Sequence, residues 1–224
     1  MLESTTSTLD VAHRLAGQGA AAGTLVIANE QTAGRGRGGK SWQSTAGAGL
    51  WLTLIERPQD TSGIGVLSLR VGLAAAEALD RFAPEPIRLK WPNDLYIDRG
   101  KLGGVLVEAR WREQSLEWIA IGVGVNVTRP EGVPTAAALE PGTSRVDALI
   151  ELIPALREAA LATGPLDDGE LEEFNARDLA RGKICLEPAL GRVAGITAAG
   201  ELLVALADSV APFRSGSLVL EEMP

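Results

Sequence analysis

Cysteine and histidine are almost missing from this chain: 224 residues carry one of each, Cys185 and His13. A single thiol excludes an internal disulfide and a cysteine-only zinc site. Its apolar neighbours Ile184 and Leu186 mark it as a buried structural group rather than a nucleophile. With one imidazole, a histidine-rich metal site has no ligands, and a Ser-His-Asp arrangement has His13 as its one candidate base. Basic residues are not in excess either. Twenty-one Lys and Arg against 29 Asp and Glu leave a net charge of −8, which argues against nonspecific nucleic-acid binding. There is no apolar run of membrane-spanning length, no charged-then-apolar leader, no internal repeat and no low-complexity tract. The expectation is a cytoplasmic enzyme or binding protein, of one large domain or one domain with a small appendage.

Against that acidic background one stretch stands out, Gln31-Thr32-Ala33-Gly34-Arg35-Gly36-Arg37-Gly38-Gly39-Lys40-Ser41-Trp42. Its nine positions from Gly34 to Trp42 hold four glycines and three cations. Neither helix nor strand suits that composition, since each interior glycine costs about 0.5–1 kcal/mol relative to alanine. Such a loop does suit an anion: glycines let backbone N–H groups come close, and Arg35, Arg37 and Lys40 supply charge. Gly34-x4-Gly39-Lys40-Ser41 also satisfies the phosphate-loop pattern. That motif works between a strand and a helix, whereas this loop runs through more polar, glycine-containing sequence into the apolar segment Leu50–Ile55.

Along the chain, the pattern predicts a short amphipathic helix over Leu9–Ala16 with a Ser or Thr cap. It predicts strands at Thr24–Ala28 and Leu50–Ile55, and a largely buried helix over Ile64–Phe82. Ile87–Trp91 alternates as a half-buried strand and turns at Pro92-Asn93-Asp94 into Leu95–Ile97. Leu102–Trp111 and Trp118–Val127 form a predicted hairpin, and the glycines of Gly122-Val123-Gly124-Val125-Asn126 suggest a close neighbour on that strand's face. Beyond a Pro/Gly-containing loop at 128–142, a helix runs from Thr143 or Ser144 toward Ala162, with Pro154 expected to kink or divide it. Asp167 or Asp168 caps another to about Asp178. Five short strands from Lys183 to Leu220 indicate a small barrel.

Several features now fall at strand ends: Ser7-Thr8, the glycine loop with Trp42, Lys90-Trp91-Pro92-Asn93-Asp94, Lys101-Leu102-Gly103-Gly104-Val105-Leu106-Val107-Glu108, and Gly122-Val123-Gly124-Val125-Asn126-Val127. In this order and spacing they resemble the biotin–protein ligases, in the short form without an N-terminal winged-helix DNA-binding domain. One departure is visible: the family's Ser-Thr-Asn reads Ser7-Thr8-Leu9 here.

The resemblance implies an α+β fold, with a mixed β-sheet and helices of the class II synthetase-like kind over residues 1–179 and a C-terminal SH3-like domain over 180–224. It implies activation of biotin by Mg-ATP to biotinyl-5′-AMP and pyrophosphate, then transfer to a lysine of a biotin carboxyl carrier protein or domain. Lys90, Arg35 and Arg37 would be catalytic. Ser7, Thr8, Gln31, Gly36, Gly103 and Gly104 join them in holding biotin; Trp42, Asn93 and Asn126 join them on the adenylate. No residue is assigned to a metal: Asp94 and Glu108 are the available acids. The partners would be biotin, ATP with Mg2+ and the carrier domain, with neither DNA nor membrane, and homodimerisation through the ligase sheet is common in the family. Three other readings stay open here: a lipoate–protein ligase, a phosphate-loop NTPase and a vitamin-binding protein without turnover.

Overall fold

The structure, a computed structural model, describes residues 1–221. Seven strands build the larger sheet: β1 (Leu2–Thr5), β2 (Thr24–Gln31), β3 (Gly49–Glu56), β4 (Arg88–Lys90), β5 (Asp94–Ile97), β6 (Gly100–Arg112) and β7 (Ser115–Asn126), in the order β1-β2-β3-β7-β6-β5-β4. All neighbours pair antiparallel except β1 and β2. β1 escapes a reading by pattern because its four residues are exposed or half-buried and carry no apolar alternation.

The helices are α1 (Thr8–Gly17), α2 (Leu67–Leu79), α3 (Arg145–Leu161) and α4 (Asp168–Arg177). α2 is shorter than its apolar run, which ends in single 3-10 turns at Ile64–Val66 and Asp80–Phe82. α3 continues through Pro154 rather than dividing there. Pro154 and Ile150, whose carbonyl loses its N–H partner to the proline, lie on the exposed side, where water satisfies that oxygen. Asp167 and Glu170 close a reciprocal capping box on α4.

β3 is buried along its whole length, so its two faces divide the core. Leu50, Leu52 and Leu54 join α2 and α3 in the main cluster, with Ile121, Val123 and Val125 of β7. The opposite face takes α1, through Leu9, Val11, Ala12 and Ala16 against Ile55 and Ala120. That second face is where Thr53, Gly122, Gly124 and Asn126 stand, and it carries the site.

The C-terminal strands are β8 (Ile184–Glu187), β9 (Gly191–Ile196), β10 (Leu202–Ala205), β11 (Val210–Phe213) and β12 (Val219–Leu220). They form a five-stranded antiparallel sheet in the order β11-β10-β9-β8-β12. The expected α+β fold with a small strand-rich C-terminal unit is therefore present. Trp91, 2% exposed, ties the two sheets by donating from its indole N–H to the Gly200 carbonyl at 3.0 Å.

Candidate active site

A cavity of about 960 Å³ opens on the α1 face of the large sheet. Its wall runs from Ser7-Thr8-Leu9 under the glycine loop to Lys90 and Lys101, and is completed by Gly216–Leu220 of the C-terminal unit. Three separate parts of the chain thus meet around one space.

The cationic end is set by register. Lys90 and Asp94 are partners across the β4–β5 turn, which contains a cis Trp91–Pro92 peptide. Asp94 Oδ1 nevertheless binds Lys101 Nζ at 2.7 Å, and the Lys101 ammonium lies 5.4 Å from the centre of the Trp42 ring. Lys90 Nζ stands 5.7 Å from the Tyr96 ring centre and has no carboxylate within 4.0 Å among the described residues. Burial pushes its pKa below 10.5, Asp94 partly opposes this, and Lys101, Lys40 and Lys183 add to it. Tyr96, buried beneath, has its phenol pushed up to about 12. A desolvated, unpaired ammonium facing a cavity is a site prepared for an anion.

The other end is a hydroxyl and amide network. Ser7 caps α1 and accepts from Leu9 N. Gln31 Oε1 accepts from Thr8 N at 2.8 Å and Thr8 Oγ1 at 3.1 Å, while Thr53 donates to Thr8 Oγ1 at 2.9 Å. Gln31 Nε2 donates to Ser44 Oγ at 2.8 Å. The Ser7 hydroxyl hydrogen and a second Gln31 amide hydrogen are left to meet a polar ligand.

The loop between these ends folds back on itself, Trp42 N donating to Gly34 O at 2.8 Å and Gly36 N to Lys40 O at 2.7 Å. Gly38 and Gly39 turn its tip with φ of 67° and 77°. No helix follows Lys40-Ser41: the chain goes to β3 by a loop, so the phosphate-loop resemblance is accidental. Trp42 lies edge-on to Trp51, with ring centres 6.4 Å apart. Its indole nitrogen would sit 2.7 Å from a Cβ on Gly124, so the strand glycine makes room for this ring. Trp42 Nε1 is buried without a hydrogen-bond partner. Arg37 donates to the Gly216 carbonyl, joining the loop to the C-terminal unit. Arg35 instead lies between Asp10 and Glu108.

Of the residues singled out in the sequence, Ser7, Thr8, Gln31, Arg35, Gly36, Arg37, Trp42, Lys90, Asn93, Gly104 and Asn126 all line this cavity. Gly103 does not. On β6 it alternates with its neighbour: Gly104 pairs with Asp94 and Gly124 on the cavity face, whereas Gly103 pairs with Leu95 and Val125, and a Cβ on Gly103 would meet Gly124 O and Leu95 on the buried side. The amide nitrogens of Asn93 and Asn126 are already engaged, Asn93 Nδ2 on Val105 O at 2.7 Å and Asn126 Nδ2 on Ala137 O at 3.0 Å. Lys101 and Asp94 sit in motifs the sequence displays but received no role there. The Gly216–Leu220 wall, whose chain segment is remote from every motif, has no sequence signal.

Among the described residues no group of three or more His, Cys, Asp or Glu is arranged to hold a metal. Asp94 is the one carboxylate of the cavity wall, and Lys101 occupies one of its oxygens. No helix is long and apolar enough to cross a membrane among the described residues.

A mixed sheet bearing a cationic glycine loop, closed by a small antiparallel sheet, defines a two-part α+β protein with a cation-lined cavity between its parts. A profile of the biotin/lipoate A/B protein ligase family matches residues 1–126. The biotin–[acetyl-CoA-carboxylase] ligase of Paracoccus denitrificans is 40% identical over 149 residues, 64% of this chain and 59% of that protein. The bifunctional ligase/repressor BirA of Bacillus subtilis is 39% identical over 124 residues, 55% of this chain and 38% of that protein. The chain thus spans less than two thirds of the length of these relatives. The biotin protein ligase of Aquifex aeolicus, in complex with biotin and ATP, superposes with a TM-score of 0.81 at 26% identity, over 98% of this chain and 97% of that one. The chain belongs to the biotin/lipoate A/B protein ligase family.

Proposed function

We propose that this protein is a biotin–protein ligase, and the observation that carries the reading is Lys90, an unpaired and partly desolvated cation at the end of the cavity opposite the hydroxyl network. The relatives and the superposed structure named above support biotin over lipoate as the acid. The residues fit the chemistry. A carboxylate oxygen attacks the α-phosphorus of ATP, the α–β bridging bond breaks and pyrophosphate leaves; the lysine amine of a carrier domain then attacks the mixed-anhydride carbonyl, and AMP leaves with loss of a proton. In the first step two anions approach, so fixed positive charge has to meet the charge that develops.

Lys90 grips carboxylate and phosphate. Arg37 and Lys40 stand over the phosphates from the loop, and Trp42 covers the nucleotide. Ser7, with Thr8 and Gln31, receives the ureido ring at the other end. Magnesium arrives as the counter-ion of ATP, for which Asp94 is the one wall carboxylate, in keeping with the preference of Mg2+ for one or two carboxylates plus phosphates. Residues 1–179 act as the catalytic domain and 180–224, of which the last three lie outside the described residues, as the SH3-like domain, whose segment Gly216–Leu220 closes the cavity. The setting is the cytoplasm, where ATP and carrier domains are found.

The deciding measurement is pyrophosphate release from Mg-ATP by the purified protein, with and without biotin, together with mass detection of bound adenylate. Biotin-dependent pyrophosphate and a biotinyl-adenylate are expected. Release that ignores biotin, or adenylate formed from lipoate in preference, overturns the reading.

A further inference from the structure

Arg35 is the one cation of the glycine loop held by carboxylates among the described residues. Its Nη2 lies 3.0 Å from Glu108 Oε2 on β6 and 3.2 Å from Asp10 Oδ1 on α1. The same Glu108 oxygen lies 2.7 Å from Nε2 of His13, the only histidine of the chain. Trp118 Nε1 donates to His13 Nδ1 at 2.9 Å. An indole N–H only donates, so Nδ1 is the accepting nitrogen and Nε2 carries the proton given to Glu108. Trp118 is itself fixed: the Arg57 guanidinium stands 5.6 Å over its ring while that side chain binds the carbonyls of Ala16, Ala20 and Glu117. A continuous line of contacts therefore runs from the junction of α1 and β7 to the base of the loop.

We propose that His13 is a positioning residue: acting through Glu108, it anchors Arg35 and thereby holds the glycine loop over the cavity. The backbone of a loop with four glycines in nine positions has many open conformations, so side-chain anchors decide how often it is closed. Glu108 is 30% exposed, and a carboxylate so placed has several rotamers unless a second bond selects one. The imidazole supplies that bond, and the shared oxygen then meets Arg35. Each contact is partly exposed and modest by itself, but the donors converge on one carboxylate oxygen, Trp118 through His13 from one side and Arg35 from the other, and act together. Arg37, bonded to Gly216 O, anchors the tip; Arg35 anchors the base. The consequence for chemistry, retention of the adenylate, rests on the ligase reading; the anchor itself does not.

Trypsin measures the loop directly, because cleavage after Arg35, Arg37 and Lys40 requires the segment to open. In the free protein, His13→Leu is expected to raise the initial cleavage rate about three- to tenfold, the scale of one partly exposed hydrogen bond to a charged group. His13→Gln, whose amide N–H can donate to Glu108 in place of the imidazole, is expected to restore most of the protection, which a merely space-filling role for His13 would not predict. Equal cleavage of parent and His13→Leu, or a glutamine variant no better protected than the leucine variant, overturns the anchor. Should His13→Leu fail to fold, Glu108→Gln decides: cleavage at the parental rate refutes the proposal and faster cleavage upholds it. The same digest with biotin and Mg-ATP judges the ligase reading separately, since loss of added protection there would count against that reading and leave the free-protein rates to decide the anchor.

Discussion

Lys90 and Asp94 face one another across the β4–β5 turn, yet the ion pair their register invites does not form. Asp94 is turned to Lys101 at 2.7 Å, and Lys90 keeps its charge for the cavity. The cavity wall thus carries the ammonium groups of Lys90 and Lys101 with a single carboxylate, Asp94. This arrangement also explains why the turn carries an acid at all: without Asp94 the wall would hold only cations, and the lysines would repel one another unopposed.

Lys90→Met should therefore separate stability from activity. Biotin-dependent pyrophosphate release is expected to fall by about 10²–10³-fold, the scale for loss of one group that meets developing charge. The thermal midpoint is expected to stay level or rise, since a desolvated charge has been removed. The parent's pH dependence follows from the same group. Its folded pKa is lowered by burial, so the folded protein releases this proton before the unfolded chain does. Stability should rise with pH between the lowered value and 10.5, the ordinary value. Activity should fall across the same window as the ammonium is lost. A Lys90→Met enzyme with near-parental pyrophosphate release would remove this residue from the chemistry.

Asp94→Asn tests the electrostatic coupling. Among the groups around Lys90, Asp94 is the one that holds its pKa up, while Lys101, Lys40 and Lys183 push it down. Neutralising Asp94 should move the alkaline limb of the pyrophosphate-release profile to lower pH. Because the Asp94–Lys101 pair is partly exposed, at 20% and 34%, the stability loss should stay within about 1 kcal/mol. An unmoved limb would mean that Lys90 is not the group titrating.

The two glycines of β7 should behave differently. A Cβ on Gly124 would lie 2.7 Å from Trp42 Nε1 and 3.1 Å from Cε2, so Gly124→Ala displaces the indole. The nearest neighbours of a Cβ on Gly122 are Leu9 side-chain carbons at 3.2–3.3 Å, which a small shift relieves. The KM for ATP is expected to rise about tenfold or more in Gly124→Ala, through loss of an aromatic contact over the nucleotide. Gly122→Ala should change it less than threefold. Tryptophan fluorescence should shift in the first variant and hardly in the second; equal behaviour would show that Trp42 does not cover the nucleotide.

Much of this site was legible in the sequence because its parts lie at strand ends, where polar residues interrupt an apolar pattern: Lys90 after Leu89, Gly122 and Gly124 between buried neighbours. The family resemblance names Gly103 with Gly104, but successive strand residues face opposite sides, so only Gly104 reaches the cavity. β1 stayed hidden because an exposed Ser/Thr edge strand has no apolar face to show. The Arg35–Glu108–His13 line was hidden for another reason. Its members are 73 and 95 residues apart and meet only when α1 packs on β2, β3 and β7, a packing that no local pattern encodes.

Arg37 gives the loop its reach into the other unit. Its guanidinium meets the Gly216 carbonyl, 179 residues away, so one side chain couples loop closure to the seating of the C-terminal sheet. Arg37→Gly removes both that bond and a cation above the phosphates. An acyl-adenylate is reactive toward amines and water, and its containment depends on a closed site. The variant should still form adenylate, because Lys90 is untouched, but release it at least tenfold faster in a rapid-dilution measurement. The escaped intermediate should then label lysines of a bystander protein that the parent leaves unmodified. If bystander labelling matches the parent while pyrophosphate release continues, the loop's closure is not what contains the intermediate, and the task passes to the wall at Gly216–Leu220.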